Sequence, residues 1–250
     1  MWTPAALSSE ARAFAGDLWR VVEAQHRAAT MRIVDTLEEQ AVLEELIEEA
    51  KPPLPPEAEG LHYLLAAPFR YRPYPAGSRF RPPGLTPGVF YASEAVETAL
   101  AELAFRRLLL LAESPAMAPP ARPVEHTAFR VPCRAARALD LTKPPLERDH
   151  ATWEHVSDYP PCQALAAAAR EAGVAALRYR SVRDPAGRAN VALLTPAAFA
   201  AKAPRAWQTW SVLTRRDGVR AAREFPRRVA LAFPLADFAQ DARLKPLFGP

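Results

Sequence analysis

The chain has little of what usually announces a function. Two cysteines stand in 250 residues, Cys133 and Cys162, 29 positions apart and with no CxxC partner. That argues against a zinc framework or a disulfide scaffold and leaves two ordinary thiols. Histidine is also scarce, five in all. His150 and His155 stand five apart, where four would align two ligands on one helix face. His26, His62 and His126 are isolated, so no metal site is expected. No HExxH, P-loop or GxGxxG pattern occurs. No run approaches the ~18 apolar residues that a membrane helix needs. The opening MWTPAALSSEARAF lacks the basic start and apolar run of a secretory signal, so a cytoplasmic location is expected. An excess of one charge is missing too. The balance of 32 Lys and Arg against 28 Asp and Glu gives +4, which binds a phosphate chain only if concentrated on one face.

What is present suits one large domain, or one domain with an appendage: half of the residues are hydrophobic, enough for a sizeable core. Residues 9–50 read as helical, and from Thr36 onward Leu37, Val42, Leu43, Leu46 and Ile47 recur at helical spacing. That stripe is expected to pack against the main domain, with the glutamates at 44, 45, 48 and 49 on the solvated side. KPPLPPEAEG then stops the helix. The division is therefore a helical N-terminal region over 1–55 and a mixed domain over 56–250.

In the second part, 61–71 and 88–93 read as strands, and 94–112 as a helix with Ser93 as N-cap. A strand follows at 124–132, then a helix at 162–173 ended by Gly173. Strands are expected at 174–181 and 189–196, and a late antiparallel pairing of 207–216 with 227–235 around the Asp217–Gly218 turn. Strands and helices alternate without a βαβ rhythm. The expected class is α+β, a mixed sheet with flanking helices.

Three stretches can carry chemistry. The first is PFRYRPYPAGSRFR (68–81), where Arg70, Arg72, Arg79 and Arg81 alternate with Phe69, Tyr71, Tyr74 and Phe80. In extended backbone Arg70 and Arg72 share a face, as do Arg79 and Arg81. Paired guanidinium groups suit a diphosphate, and the rings suit a flat heterocycle. Ordinary surface ion pairs, a dinucleotide-sized pocket and a nucleic-acid face all remain open on this spacing. The second is Glu102, which leans over Ala95, Thr98 and Ala99, with a plain Glu102–Arg106 pair as the alternative. In the third, YRSVRDPAGRANVALLTP, Ser181 and Asn190 sit at adjacent strand ends, able to bond an amide or ribose or merely to cap turns.

Together PFRY, GSRFR, GVFYASEAVETALAE and YRSVRDPAGRANVALLTP, in that order, resemble the RES domain over roughly residues 60–200. The opening helical region is similar to the extension of longer bacterial members. The resemblance implies an ADP-ribosyltransferase-like core and a toxin that consumes NAD by breaking the nicotinamide–ribose bond, with water or phosphate as acceptor. Transfer of ADP-ribose to a protein is the alternative. NAD is then a substrate and no resident cofactor is implied. A small helical Xre-type antitoxin is the implied partner, self-association is possible, and direct nucleic-acid binding is not implied. Carried over, Arg79, Glu102 and Ser181 are the motif arginine, glutamate and serine, and Arg70, Tyr71, Tyr91 and Asn190 line the pocket. Phe80 and Arg81 depart from the Trp-Asn of many members.

Overall fold

The computed structural model describes residues 2–24, 34–71, 75, 77–84 and 86–248. His26, Arg72 and Tyr74 lie outside them.

The architecture is α+β. One sheet of eight strands carries helices on its flanks, in the order β1-β2-β5-β4-β3-β6-β7-β8. The organising element is β3 (Val124–Asp140), 17 residues long. Along one edge it pairs antiparallel with β1 (Arg12–Glu23) from Arg12↔Ala138 to Glu23↔His126. Along its other edge it takes β6 (Ala206–Arg215) beside residues 124–130 and β4 (Ala176–Arg180), in parallel, beside residues 138–140. β5 (Ala189–Leu193) lies between β4 and β2 (Phe90–Ser93), and β2 meets β1 at Trp19↔Ser93. The pairing therefore closes on itself through five strands. Inside that ring Leu18, Phe90, Val131, Val191 and Leu193 form one core cluster.

The open arm of the sheet continues through β7 (Gly218–Arg223) and β8 (Val229–Pro234). On it lies α4 (Val96–Glu113), whose Leu100, Ala104 and Leu108 pack against Val212, Val219 and Phe233. A third cluster holds α6 (Pro160–Glu171), with two prolines at its start and Gly173 at φ +70° behind it, against Phe80, Leu177 and Tyr179. Leu7 of α1 (Pro4–Glu10) closes that cluster. A short α5 (His150–Trp153) precedes α6.

Four local readings change. Residues 12–23 are not helical: they form β1, because eleven cross-strand pairs with β3 outweigh the alanine-rich local preference. The N-terminal region is thus part of the sheet, and its main helix is α2 (Leu37–Glu49), started by a Thr36–Glu39 capping box. The apolar stripe of α2 is not buried among the described residues: Leu37, Val42, Leu46 and Ile47 are exposed and Leu43 is half-buried. Residues 61–71 form α3 (Tyr63–Arg70) rather than a strand, capped by the His62 ring accepting from the Leu64 amide. A short apolar run such as LLAA fits either form, and periodicity alone does not decide it. In the tail, GVRAAR is itself β7, paired to β6 and to β8, so that β6 and β8 are not direct neighbours. Among the described residues no helix is long and apolar enough to cross a membrane.

Candidate active site

The site is assembled where α4 crosses the ends of β2, β4 and β5. Glu102, half-buried on α4, accepts two hydrogen bonds on the same oxygen. The Ser181 hydroxyl donates to Oε1 at 2.7 Å, and the Asn190 side-chain amide donates to it at 2.6 Å. Among the described residues no group bonds Oε2. The expected Glu102–Arg106 pair is not made, and Arg106 is exposed.

Each donor is itself fixed. Ser181, just after β4, accepts the backbone amides of Arg183 and Asp184 at 3.2 Å each. With both lone-pair directions occupied, its proton is left for the carboxylate. Asn190 on β5 faces Ser93 across the β2–β5 register, and the Ser93 hydroxyl donates to its Oδ1 at 2.6 Å. That bond turns the Asn190 NH2 toward Glu102. Ser93 thus supports the site instead of capping α4, whose N-cap is Ala95 with no side-chain bond. Asp184 ties the 181–188 loop to α4 through Thr98, which donates to it at 2.7 Å, and it takes both Arg188 contacts. Those bonds hold its carboxyl below the usual range although burial pushes the other way. The hydroxyl and the amide expected to meet an amide or ribose are therefore engaged with the acid itself.

Arg79 comes from a tight turn in which Ser78 and Arg81 exchange backbone hydrogen bonds, the two central residues being Arg79 and Phe80. Gly77 enters this turn at φ +69°, and a Cβ there would meet the Arg81 carbonyl at 2.6 Å. The Tyr91 hydroxyl pins the turn, accepting the Phe80 amide at 2.9 Å and sharing a 2.8 Å bond with Ser78. Arg79 is 8% exposed, donates to the Trp153 carbonyl at 2.6 Å and lies 5.0 Å over the Tyr159 ring. Among the described residues no carboxylate pairs with it. A buried cation without an acid is costly, and such a group is suited to an incoming anion. Tyr179, its ring 4.9 Å from Phe80, feels the charges of both Arg79 and Glu102. Burial raises its hydroxyl pKa well above the ordinary value, Glu102 adds to this, and Arg79 opposes it.

The remaining residues part company. Arg70 bonds the Glu48 carboxylate at 2.6 Å and the Pro52 carbonyl at 2.5 Å, tying α3 to the end of α2. Arg81 is buried and holds the Pro68 and Thr86 carbonyls, a clamp across the 68–86 segment. Tyr71, 41% exposed, ends α3. Arg79 and Arg81 therefore do not share a face, because the segment turns back at 78–81 instead of running extended.

Sequence reading missed Tyr179, Ser93 and Asp184 as parts of the site. Alternation could have found the first, since Leu177, Tyr179 and Ser181 fall on one side of a strand. It also missed Arg183, 3% exposed, whose guanidinium stacks 3.5 Å over Phe105 and pairs with buried Asp241 at 2.8 Å. A recess of about 400 Å³ opens nearby, lined by Glu94, Arg178, Arg180 and Arg188. It lies on the side of β4 and β5 away from Asn190. Its arginines are already paired with Glu94, Asp140, Glu154 and Asp184, so it offers no free positive charge.

A similar solved structure is the crystal structure of the M. tuberculosis MbcT–MbcA toxin–antitoxin complex, at 14% identity and a TM-score of 0.45, over 82% of this chain and 92% of that one. No curated protein matches the chain. The family model for the RES domain matches residues 54–214, a span that holds Arg79, Glu102, Ser181 and Asn190, and the chain belongs to the RES domain family.

Proposed function

We propose that this protein is an NAD-consuming toxin that cleaves the nicotinamide–ribose bond, on an ADP-ribosyltransferase-like core, and is neutralised by a small helical antitoxin of the Xre type. The observation that carries the reading is the state of Glu102. Two donors saturate and fix Oε1, while Oε2 has no partner among the described residues. A carboxylate held in this way suits the stabilisation of positive charge developing on a sugar.

When the bond from the ribose carbon to the nicotinamide nitrogen breaks, its electron pair leaves with the ring, which departs neutral from a cationic state. The sugar becomes oxocarbenium-like, and Glu102 Oε2 faces it. No strong base is required for that step. Ser181 and Asn190 act through Glu102, as positioning residues that keep one oxygen outward. Arg79, lacking an acid, supplies the charge for the diphosphate and fixes the substrate. Tyr91 sets the Arg79 turn, and Tyr179 feels the charges of both cation and acid.

Water, phosphate or a protein side chain can then complete the reaction. Incubation with NAD followed by mass spectrometry distinguishes free ADP-ribose, its 1″-phosphate and a labelled protein. Glu102→Gln keeps an acceptor for both donors but loses the negative charge. It is expected to lower NAD loss by roughly 10²–10³-fold with the fold intact. NAD drained at the wild-type rate by that variant would remove Glu102 from the chemistry. The described arginines of the 68–81 stretch do not favour the nucleic-acid alternative: Arg70, Arg79 and Arg81 point to three separate sets of partners.

A further inference from the structure

Arg79 rests on a ring that the C-terminal segment holds in place. Its guanidinium lies 5.0 Å over Tyr159, and that of Arg243 lies 6.0 Å from the centroid of the same ring. Tyr159 immediately precedes α6, and its hydroxyl donates to the Val156 carbonyl at 3.2 Å. That carbonyl also accepts Arg183 Nη2 at 2.5 Å and Arg243 Nη2 at 3.2 Å. Both guanidinium groups then meet one buried carboxylate, Asp241, at 2.8 Å and 2.7 Å. The loop that carries the ring is fastened by two arginines, and both arginines by one acid.

Asp241 and Arg243 lie beyond residue 214, where the match to the RES model ends. Phe238 and Leu244 bury their segment in the core cluster that holds Leu100 and Phe105 of α4. Phe105 comes three residues after Glu102, and its ring lies under Arg183 at 3.5 Å and under Arg243 at 5.4 Å. The same two arginines therefore touch the helix of the acid on one side and the loop beneath the cation on the other. Arg183 and Asp241 are both buried, so their charges are poorly screened and a displaced partner is costly. Arg79 has no acid of its own among the described residues, so three cations gather around one ring and one bonded carboxylate.

We propose that Tyr159 and Arg243, fastened by Asp241, are positioning residues that set the place of Arg79 relative to Glu102, so that the C-terminal segment governs how tightly the site holds a diphosphate. This rests on the assignment of Arg79 to the diphosphate in the proposed function. A guanidinium over an aromatic face is attracted by the ring and restricted in direction. Without that ring Arg79 keeps the Trp153 carbonyl at 2.6 Å and a weak contact to Cys162 Sγ at 4.0 Å, both through the same nitrogen, and can swing about it.

The test is ADP binding to the full chain by titration calorimetry, which needs no bond cleavage. Arg243→Gln leaves Asp241 paired with Arg183, and the backbone amide at 243 still bonds it at 3.1 Å, so the fold is expected to hold. Circular dichroism checks this for every variant. Arg243→Gln should weaken ADP binding about 3–10-fold, and Tyr159→Leu about 10-fold or more. Tyr159→Phe keeps the ring and should stay within about 2-fold of wild type. In an Arg79→Ala background, Arg243→Gln and Tyr159→Leu should cost nothing further, because they act through Arg79. General loosening of the fold would add its loss in either background. The proposal is overturned by a wild-type chain that does not bind ADP, by wild-type affinity in both variants, or by losses of equal size with and without Arg79. If the chain binds ADP as expected yet leaves NAD intact, the cleavage reading fails while this inference stands.

Discussion

Ser181 and Glu102, 79 residues apart in sequence, share a 2.7 Å hydrogen bond in which serine gives its only proton to the acid. Because the serine oxygen also receives two backbone amides, the hydroxyl is not free to turn toward a ligand. The family serine acts here as part of the carboxylate's mount, and its loss should be read in the acid's behaviour.

Ser181→Ala is therefore expected to lower kcat for NAD loss by roughly 10–10²-fold while KM changes little. A serine that touched the substrate in its ground state would raise KM instead. Steady-state kinetics on the purified variant separates the two.

Arg81 is expected to be a structural clamp. Arg81→Ala should destabilise the fold by about 1–3 kcal/mol, since the Pro68 and Thr86 carbonyls lose their donor. Turnover per folded molecule should be unchanged. Urea titration measures the first, and activity at low temperature measures the second. A large loss of activity in fully folded protein would place Arg81 in the site after all.

His126 makes stability depend on pH. It is buried in β3 and bonds Arg107 at 3.0 Å and the Val124 carbonyl at 3.0 Å. Arg107 can only donate, so the ring must be neutral with its own proton on Nδ1. Burial first, and the Arg107 charge after it, hold its pKa below the ordinary 6.5. Below pH 6.5 the unfolded chain takes up a proton that the folded chain resists. This contribution to stability is full above that pH and is lost as the pH falls through and beneath it. Urea midpoints between about pH 8 and about pH 5 should fall, and His126→Gln should flatten the slope.

Both thiols should be inert in the folded state. Burial, with Asp17 adding to it, pushes Cys133 up to about 12. Burial also raises Cys162, although Arg79 opposes it. Iodoacetamide at neutral pH is expected to label neither until denaturant is added, as mass spectrometry would show.

Much of the site could be read from local spacing. Glu102 lies where helical periodicity leaves small neighbours, and Ser181 and Asn190 lie where two strand ends were expected to adjoin. What stayed hidden was decided at long range. β1 looks helical until β3 is there to pair with it, and the 68–81 stretch looks extended until Tyr91 pins its turn. Arg70 could not be assigned by spacing, because its partner Glu48 lies 22 residues upstream on another element. The family resemblance named Arg79, Glu102, Ser181 and Asn190. It did not say that Ser181 and Asn190 both bond Glu102.

The register Ser93↔Asn190 spans 97 positions, and the acid's second donor belongs to β5. During synthesis, Glu102 therefore emerges from the ribosome long before the groups that aim it. A chain interrupted between Glu102 and Asn190 carries the arginine and the carboxylate yet lacks the amide that orients the acid. On the proposed function, NAD loss is expected to begin only once β5 has been translated and paired with β2.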